Sequence, residues 1–311
     1  MSARLLLLCP GQGDQHAGMF DLARTSAGAA SMLDALSAAL PDILPGLGPG
    51  QLDTGRLFAN RSAQPLIVAA TLAMWEAIRD AAPPPALLAG YSIGELSAYG
   101  LAGALSPKAA VRLAAERASL MDGCLAAHPG QALLAISGLP LQRLAAPLHT
   151  AAFHLSIETG DDSCIAGGPA AGLPQLEQVL ADAGARCRRL PVEVASHTPF
   201  MAPAVAPFAA ALRRTAFAPM AAPVLAGISA TAVFDHERAV EQLSRQLAEP
   251  IRWSACMDAC AEAGITVALE LGPGGALSRM LHARHPQISC RSVADFRTLD
   301  GVRGWLDRQL G

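Results

Sequence analysis

The sequence predicts an α/β fold: a hydrolase-like large domain with a mostly parallel sheet, plus an inserted ferredoxin-like small domain. Three observations carry this. Short apolar runs alternate with helix-length amphipathic segments almost throughout the chain, which is the signature of strands joined by crossover helices. One stretch, from about Gln131 to Val192, has a different rhythm, strand–helix–strand twice over. The composition also supplies a core large enough for both, with 52% hydrophobic and only 16% charged residues in 311, a balance that excludes disorder.

The strands expected in the large domain are Leu5–Cys9, Leu87–Ala89, Val224–Ile228, Val267–Leu271 and Ile288–Val293. Helical patterns fall at Leu66–Ala81, Lys108–Asp122, Arg238–Ala248 and Ser254–Ala263. The inserted segment reads as strand Leu133–Ser137, helix Leu141–His149 and strand Phe153–Glu158. It continues as strand Ser163–Gly167, helix Leu173–Ala183 and strand Arg186–Leu190. The turn Gly160-Asp161-Asp162 joins the middle strands as a hairpin, and βαββαβ is the ferredoxin-like order. The expected division is residues 1–128 and 193–311 for the large domain and 129–192 for the small one, with a ligand cleft at their junction.

Charge and cysteines narrow the setting. A net charge of -3 offers no field for gripping nucleic acid. Apolar runs such as Leu5–Cys9 are far too short to cross a bilayer, and no cleavage site follows them. The seven cysteines are scattered with no C-x-x-C, which predicts a reducing, cytoplasmic location rather than a disulfide framework.

The strongest local signal is Gly90-Tyr91-Ser92-Ile93-Gly94, directly after an apolar strand and before a helix. G-x-S-x-G in that context is a nucleophile elbow, in which a tight turn thrusts the serine out at a helix N-terminus. There the helix dipole and the Ile93 N–H can stabilise an oxyanion. A plain strand-to-helix turn is the bland alternative. A serine needs a base, and His197, in the loop Ala195-Ser196-His197-Thr198-Pro199 just past the insertion, is the best placed of the eight histidines; a merely solvated histidine is equally compatible with its spacing. His282 and His285 form an H-x-x-H with no third ligand nearby, so no metal is expected.

Pro10-Gly11-Gln12-Gly13-Asp14-Gln15 follows the first strand. It lacks the lysine of a phosphate loop, and Gln12 can instead direct its backbone N–H at the same oxyanion as Ile93. Leu271-Gly272-Pro273-Gly274-Gly275 reads as a simple loop. Arg117 belongs to the helix after the elbow helix; it is a surface residue unless that helix faces the cleft.

Together these motifs resemble the malonyl-CoA:acyl carrier protein transacylase family over essentially the whole chain. The matching pieces are Gly11-Gln12-Gly13-x-Gln15, Gly90-x-Ser92-x-Gly94-Glu95, Arg117-x-x-x-Met121, Ser196-His197-x-x-x-Met201 and Glu270-Leu271-Gly272-Pro273-Gly274. The resemblance implies Ser92 as nucleophile, His197 as its base and acid, and the N–H groups of Gln12 and Ile93 as the oxyanion hole. Arg117 would bind the malonyl carboxylate, and a backbone carbonyl near Arg252 would orient His197. It implies no permanently bound cofactor, with the coenzyme A thioester as substrate and an acyl carrier protein as acceptor.

Tyr91, where the family usually has His, and Glu158, where it usually has Asn, depart from the pattern. The run Tyr91–Leu96 (Tyr-Ser-x-Gly-Glu-Leu), followed by Ala98-Tyr99-Gly100, resembles the epsilon subunit of malonate decarboxylase. That implies a carrier bearing phosphoribosyl-dephospho-coenzyme A, and other decarboxylase subunits as possible partners. The alternative branch is fatty-acid or polyketide supply. Two other classes remain: a serine hydrolase or thioesterase, with Asp161 or Asp162 completing a triad, and a non-catalytic subunit of a complex.

Overall fold

In a computed structural model, which describes residues 3–47, 52 and 54–311, the chain forms two sheets that meet along a cleft. The strands, in chain order, are β1 Leu5–Cys9, β2 Leu87–Gly90, β3 Gln131–Ser137, β4 His154–Glu158, β5 Ser163–Pro169 and β6 Arg186–Arg189. They continue with β7 Val224–Ala226, β8 Thr231–Val233, β9 Ile251–Arg252, β10 Val267–Glu270 and β11 Ser289–Ser292.

The large sheet has the order β11-β10-β1-β2-β7-β8. Every pairing is parallel except β7 with the edge strand β8. All five residues of β1 are buried, as a continuous apolar run covered on both faces requires. Leu5 and Leu7 join a core with helix Asn60–Ile78 on one face, while Leu6 and Leu8 join a second core with Trp253, Met257 and Leu277 on the other. The fold is therefore α/β with a mostly parallel sheet, as the alternating pattern predicts.

The second sheet has the order β6-β3-β5-β4-β9. Its first four members are antiparallel neighbours in the ferredoxin-like arrangement, with helices Ala145–Thr150 and Leu173–Asp182 closing their own core around Leu134, Ile136 and Leu176. The fifth strand comes from outside the insertion: β9 runs parallel to β4, with Ile157 opposite Ile251 and Glu158 opposite Arg252. It covers an otherwise open sheet edge. Arg252 also donates its N–H to Gly227 O, just past β7, so this short strand stitches the two sheets together.

Several element ends differ from expectation for local reasons. Helix Asn60–Ile78 starts well before Leu66 and carries Pro65 inside it. β7 stops at Ala226 rather than Ile228 because the Gly227 N–H turns to the Glu95 carboxylate. The last strand ends at Ser292, whose hydroxyl caps a short 3-10 turn at Val293–Asp295. Among the described residues, no helix is long and apolar enough to cross a membrane, and no group of His, Cys, Asp and Glu is arranged to hold a metal ion. The cysteines are free thiols.

The elbow depends on two glycines. A Cβ on Gly94 would lie 2.1 Å from Cys9 O, and one on Gly90 2.1 Å from Gly94 C. Strand β1, strand β2 and the helix after Ser92 thus touch backbone to backbone, where no side chain can yield. Gly94→Ala is expected to destabilise the fold by about 3 kcal/mol or more, read as a lowered midpoint in urea unfolding; an unchanged midpoint would contradict this close approach.

Candidate active site

Ser92 lies between β2 and helix Ile93–Leu101 with φ 56 and ψ -117, a region that a non-glycine residue occupies only under constraint. The strained turn aims its hydroxyl at His197 and Arg117. His197 is likewise held at φ 59, with its N–H bonded to Leu247 O at 2.9 Å. Around it, Thr198 Oγ1 donates to Ala195 O at 2.6 Å and Ser156 Oγ of β4 donates to Ser196 O at 2.8 Å. Two strained positions 105 residues apart are thereby brought face to face.

Ser92 Oγ and His197 Nε2 are 2.8 Å apart. On the far side of the ring, His197 Nδ1 is 2.5 Å from Gln246 O. A carbonyl can only accept, so Nδ1 carries the proton and Nε2 is left free to accept from the serine hydroxyl. Burial, reinforced by the Arg117 cation and opposed by the bond to Gln246, pushes the imidazole down from 6.5 to about 3. The ring is therefore neutral near pH 7, the form a general base requires.

The orienting carbonyl is a correction to the sequence reading. It belongs to Gln246, not to the segment near Arg252, whose N–H is committed to Gly227 and whose backbone builds β9. The hydrolase triad is also excluded by geometry. Asp161 and Asp162 are both exposed on the β4–β5 hairpin, Asp161 pairing with Arg284 at 3.1 Å, while the Nδ1 that either would need is occupied by Gln246. His285 bonds Asp258 at 2.9 Å and His282 faces Ile288 O at 3.3 Å, so the H-x-x-H pair is spent on local contacts.

Arg117, in helix Pro107–Ala127, is 2% exposed and points toward Ser92 rather than solvent. Nη1 donates to Gln64 Oε1 at 2.8 Å, Nη2 to Gln246 Oε1 at 3.2 Å, and Nη2 reaches Ser92 Oγ at 3.4 Å. Burial lowers its pKa from 12.5 only to about 10, so it stays a cation. Its hydrogen-bond partners are two neutral amides and the Ser92 hydroxyl; no carboxylate among the described residues lies within ion-pair distance. Gln64 and Gln246, which hold Arg117 and orient His197, carry no motif and were not foreseen from sequence.

The Gly11–Gln15 loop passes beside the elbow. A Cβ on Gly11 would meet Tyr91 O at 2.8 Å, and Gln15 Oε1 accepts from Gly13 N at 2.8 Å. The late glycine loop, expected to be featureless, buttresses this one: a Cβ on Gly272 would strike Pro10 and one on Gly274 would strike Asp14. Tyr91 packs edge-on against Trp253 with centroids 5.2 Å apart. It lines a cleft of about 770 Å³ together with Ile165, Leu190, Met280 and Arg284. On the other side of Leu190 a cleft of about 610 Å³ includes Gln12, Phe58 and Asn60.

The acyl transferase domain family model matches residues 6–295. A malonyl CoA-acyl carrier protein transacylase of Mycobacterium tuberculosis is 34% identical over 301 residues, spanning 95% of this chain and 98% of the relative. The solved malonyl CoA-acyl carrier protein transacylase of Coxiella burnetii superposes with a TM-score of 0.90 at 25% identity, over 100% of this chain and 99% of that one. A malonyl-transacylase solved in complex with its type II polyketide acyl carrier protein gives 0.89 at 26% identity, over 97% and 99%.

The depressed histidine yields a direct measurement. Nitrogen resonances of the His197 ring should keep the neutral, Nδ1-protonated pattern from about pH 8 down to about pH 5. A transition at the ordinary histidine value would contradict the buried, Arg117-facing environment.

Proposed function

Because the chain belongs to the acyl transferase domain family, we propose that it moves malonyl from coenzyme A to the thiol of an acyl carrier protein, through an ester on Ser92. It is an acyltransferase; the observation that carries the malonyl assignment is the buried Arg117 cation beside the nucleophile, hydrogen-bonded to two neutral amides and the Ser92 hydroxyl and to no carboxylate. A buried arginine without a counter-ion is costly. An acyl group ending in a carboxylate supplies the missing charge and matches the guanidinium's planar fork.

The proposed chemistry follows from the protonation just derived. His197 Nε2 takes the Ser92 proton as Oγ attacks the thioester carbonyl. The N–H groups of Ile93, at the helix N-terminus, and of Gln12, on the loop beside Tyr91, hold the oxyanion. The C–S bond then breaks, and the Nε2 proton passes to the departing sulfur. The carrier thiol reverses these steps: it gives its proton to Nε2, attacks the ester, and Ser92 recovers the proton. Coenzyme A is a substrate here, and no bound cofactor is required.

The carrier is the finer question. The names of the relatives support a carrier of fatty-acid or polyketide synthesis better than one of malonate decarboxylase. The decarboxylase reading rests on Tyr91, Ala98-Tyr99-Gly100 and Glu158. Tyr91 packs against Trp253 in the cleft wall, a role independent of carrier type, and Tyr99 is buried away from it.

Three outcomes test the proposal. Intact mass after brief exposure to malonyl-CoA should show a malonyl adduct that Ser92→Ala abolishes; no adduct on the unaltered chain would overturn the covalent route. The adduct should discharge to a phosphopantetheine carrier, whereas discharge only to a phosphoribosyl-dephospho-coenzyme A carrier would restore the decarboxylase branch. Arg117→Ala should lower kcat/KM for malonyl-CoA on the order of a hundredfold or more and leave acetyl transfer nearly unchanged. Equal losses would make Arg117 structural.

A further inference from the structure

Glu95 lies in the first turn of the helix after Ser92, fully buried, and its carboxylate accepts from Gly227 and Gln246 rather than from the side chains of Ser92, His197 or Arg117. Its Oε2 accepts from Gly227 N–H at 2.9 Å and from Gln246 Nε2 at 2.6 Å, while Oε1 has no partner. The other end of the same Gln246 amide accepts from Arg117 Nη2 at 3.2 Å. The amide is therefore fixed from both sides. Arginine can only donate, so the Gln246 oxygen must face it, and the nitrogen must then find an acceptor.

We propose that Glu95 is a positioning residue for acyl selectivity: it holds the Gln246 amide in the orientation that pins the Arg117 guanidinium beside Ser92. The inference rests on the malonyl-transfer reading and adds the residue that sets its preference. Without an acceptor at position 95 the Gln246 amide is free to rotate and turn its own N–H donors toward Arg117, donor against donor. The guanidinium then keeps only Gln64 as an amide anchor. The Gln246 main-chain carbonyl stays with His197 through this rotation, so the base is spared and the loss falls on acyl groups that need Arg117.

The arrangement does not depend on the charge of Glu95. Burial pushes its carboxyl up to about 7, opposed by the Gly227 and Gln246 bonds and by Arg117. The titratable groups that face it are Arg117, Tyr99 on its own helix, and Cys256 of helix Trp253–Glu262. A proton added near neutrality falls on the unpartnered Oε1 and leaves both bonds at Oε2 in place. Glu95→Gln reproduces this neutral form.

The test compares acylation of the full-length chain by malonyl-CoA and by acetyl-CoA. Glu95→Ala should lower kcat/KM for malonyl-CoA roughly tenfold to a hundredfold while acetyl-CoA changes by less than about threefold. Glu95→Gln should recover most of the malonyl rate. Gln246→Met, which removes the amide but keeps the main-chain carbonyl, should show the same selective loss, and the double variant should be no worse than either single one. Gln246→Met carries the test alone if Glu95→Ala does not fold. Equal losses for both acyl groups, a Glu95→Gln variant as poor as Glu95→Ala, or additive effects in the double variant would each overturn the proposal. Failure of the unaltered chain to take up malonyl would instead overturn the functional reading, and would be seen before any variant is compared.

Discussion

A buried arginine is the constraint around which this molecule is arranged. Taking a guanidinium out of water costs several kcal/mol unless charge or hydrogen bonds replace the solvent. Arg117 receives amide carbonyls from Gln64 and Gln246 and the edge of the Ser92 hydroxyl. Its electrostatic counterpart inside the protein, Glu95, stands behind Gln246 and is itself pushed up by burial. On the malonyl-transfer reading, the acyl carboxylate completes that neutralisation. Burial, reinforced by the same cation, depresses His197 and keeps the imidazole neutral.

Gln246 turns this arrangement into a single unit. Its main-chain carbonyl fixes the His197 tautomer, its side-chain oxygen holds Arg117, and its side-chain nitrogen ties both to the elbow helix through Glu95. The strained backbone at Ser92 and His197 persists because both neighbours are over-determined. Gly90 and Gly94 lock the elbow against β1, and Leu247 O, Ser156 and Thr198 lock the histidine loop.

The small sheet takes part in this positioning. Ser156 on β4 reaches the histidine loop, and β9 adds a strand from the large body to the small sheet's edge. Arg284, clamped on Asp258 at 2.6 Å, reaches across to Asp161 on the hairpin. The cleft that Tyr91 and Leu190 line also includes both ends of this bridge, Asp161 and Arg284.

The sequence by itself determined the α/β alternation, the ferredoxin-like order of the insertion, and the elbow at Ser92, because each leaves a local mark. Apolar periodicity records which faces are buried, and a glycine pair at fixed spacing records a turn that tolerates no side chain. His197 and Arg117 stand in motifs visible in the sequence, and the structure brings both within reach of Ser92. Tertiary structure alone decided the partners. The carbonyl that orients His197 was expected near Arg252 and belongs to Gln246, because a main-chain oxygen has no side-chain signature and any residue can supply it. Gln64 and Gln246 are ordinary residues in sequence and Glu95 shows there only as the end of the elbow motif; folding brings the two glutamines within hydrogen-bond reach of one buried cation and Glu95 within reach of Gln246.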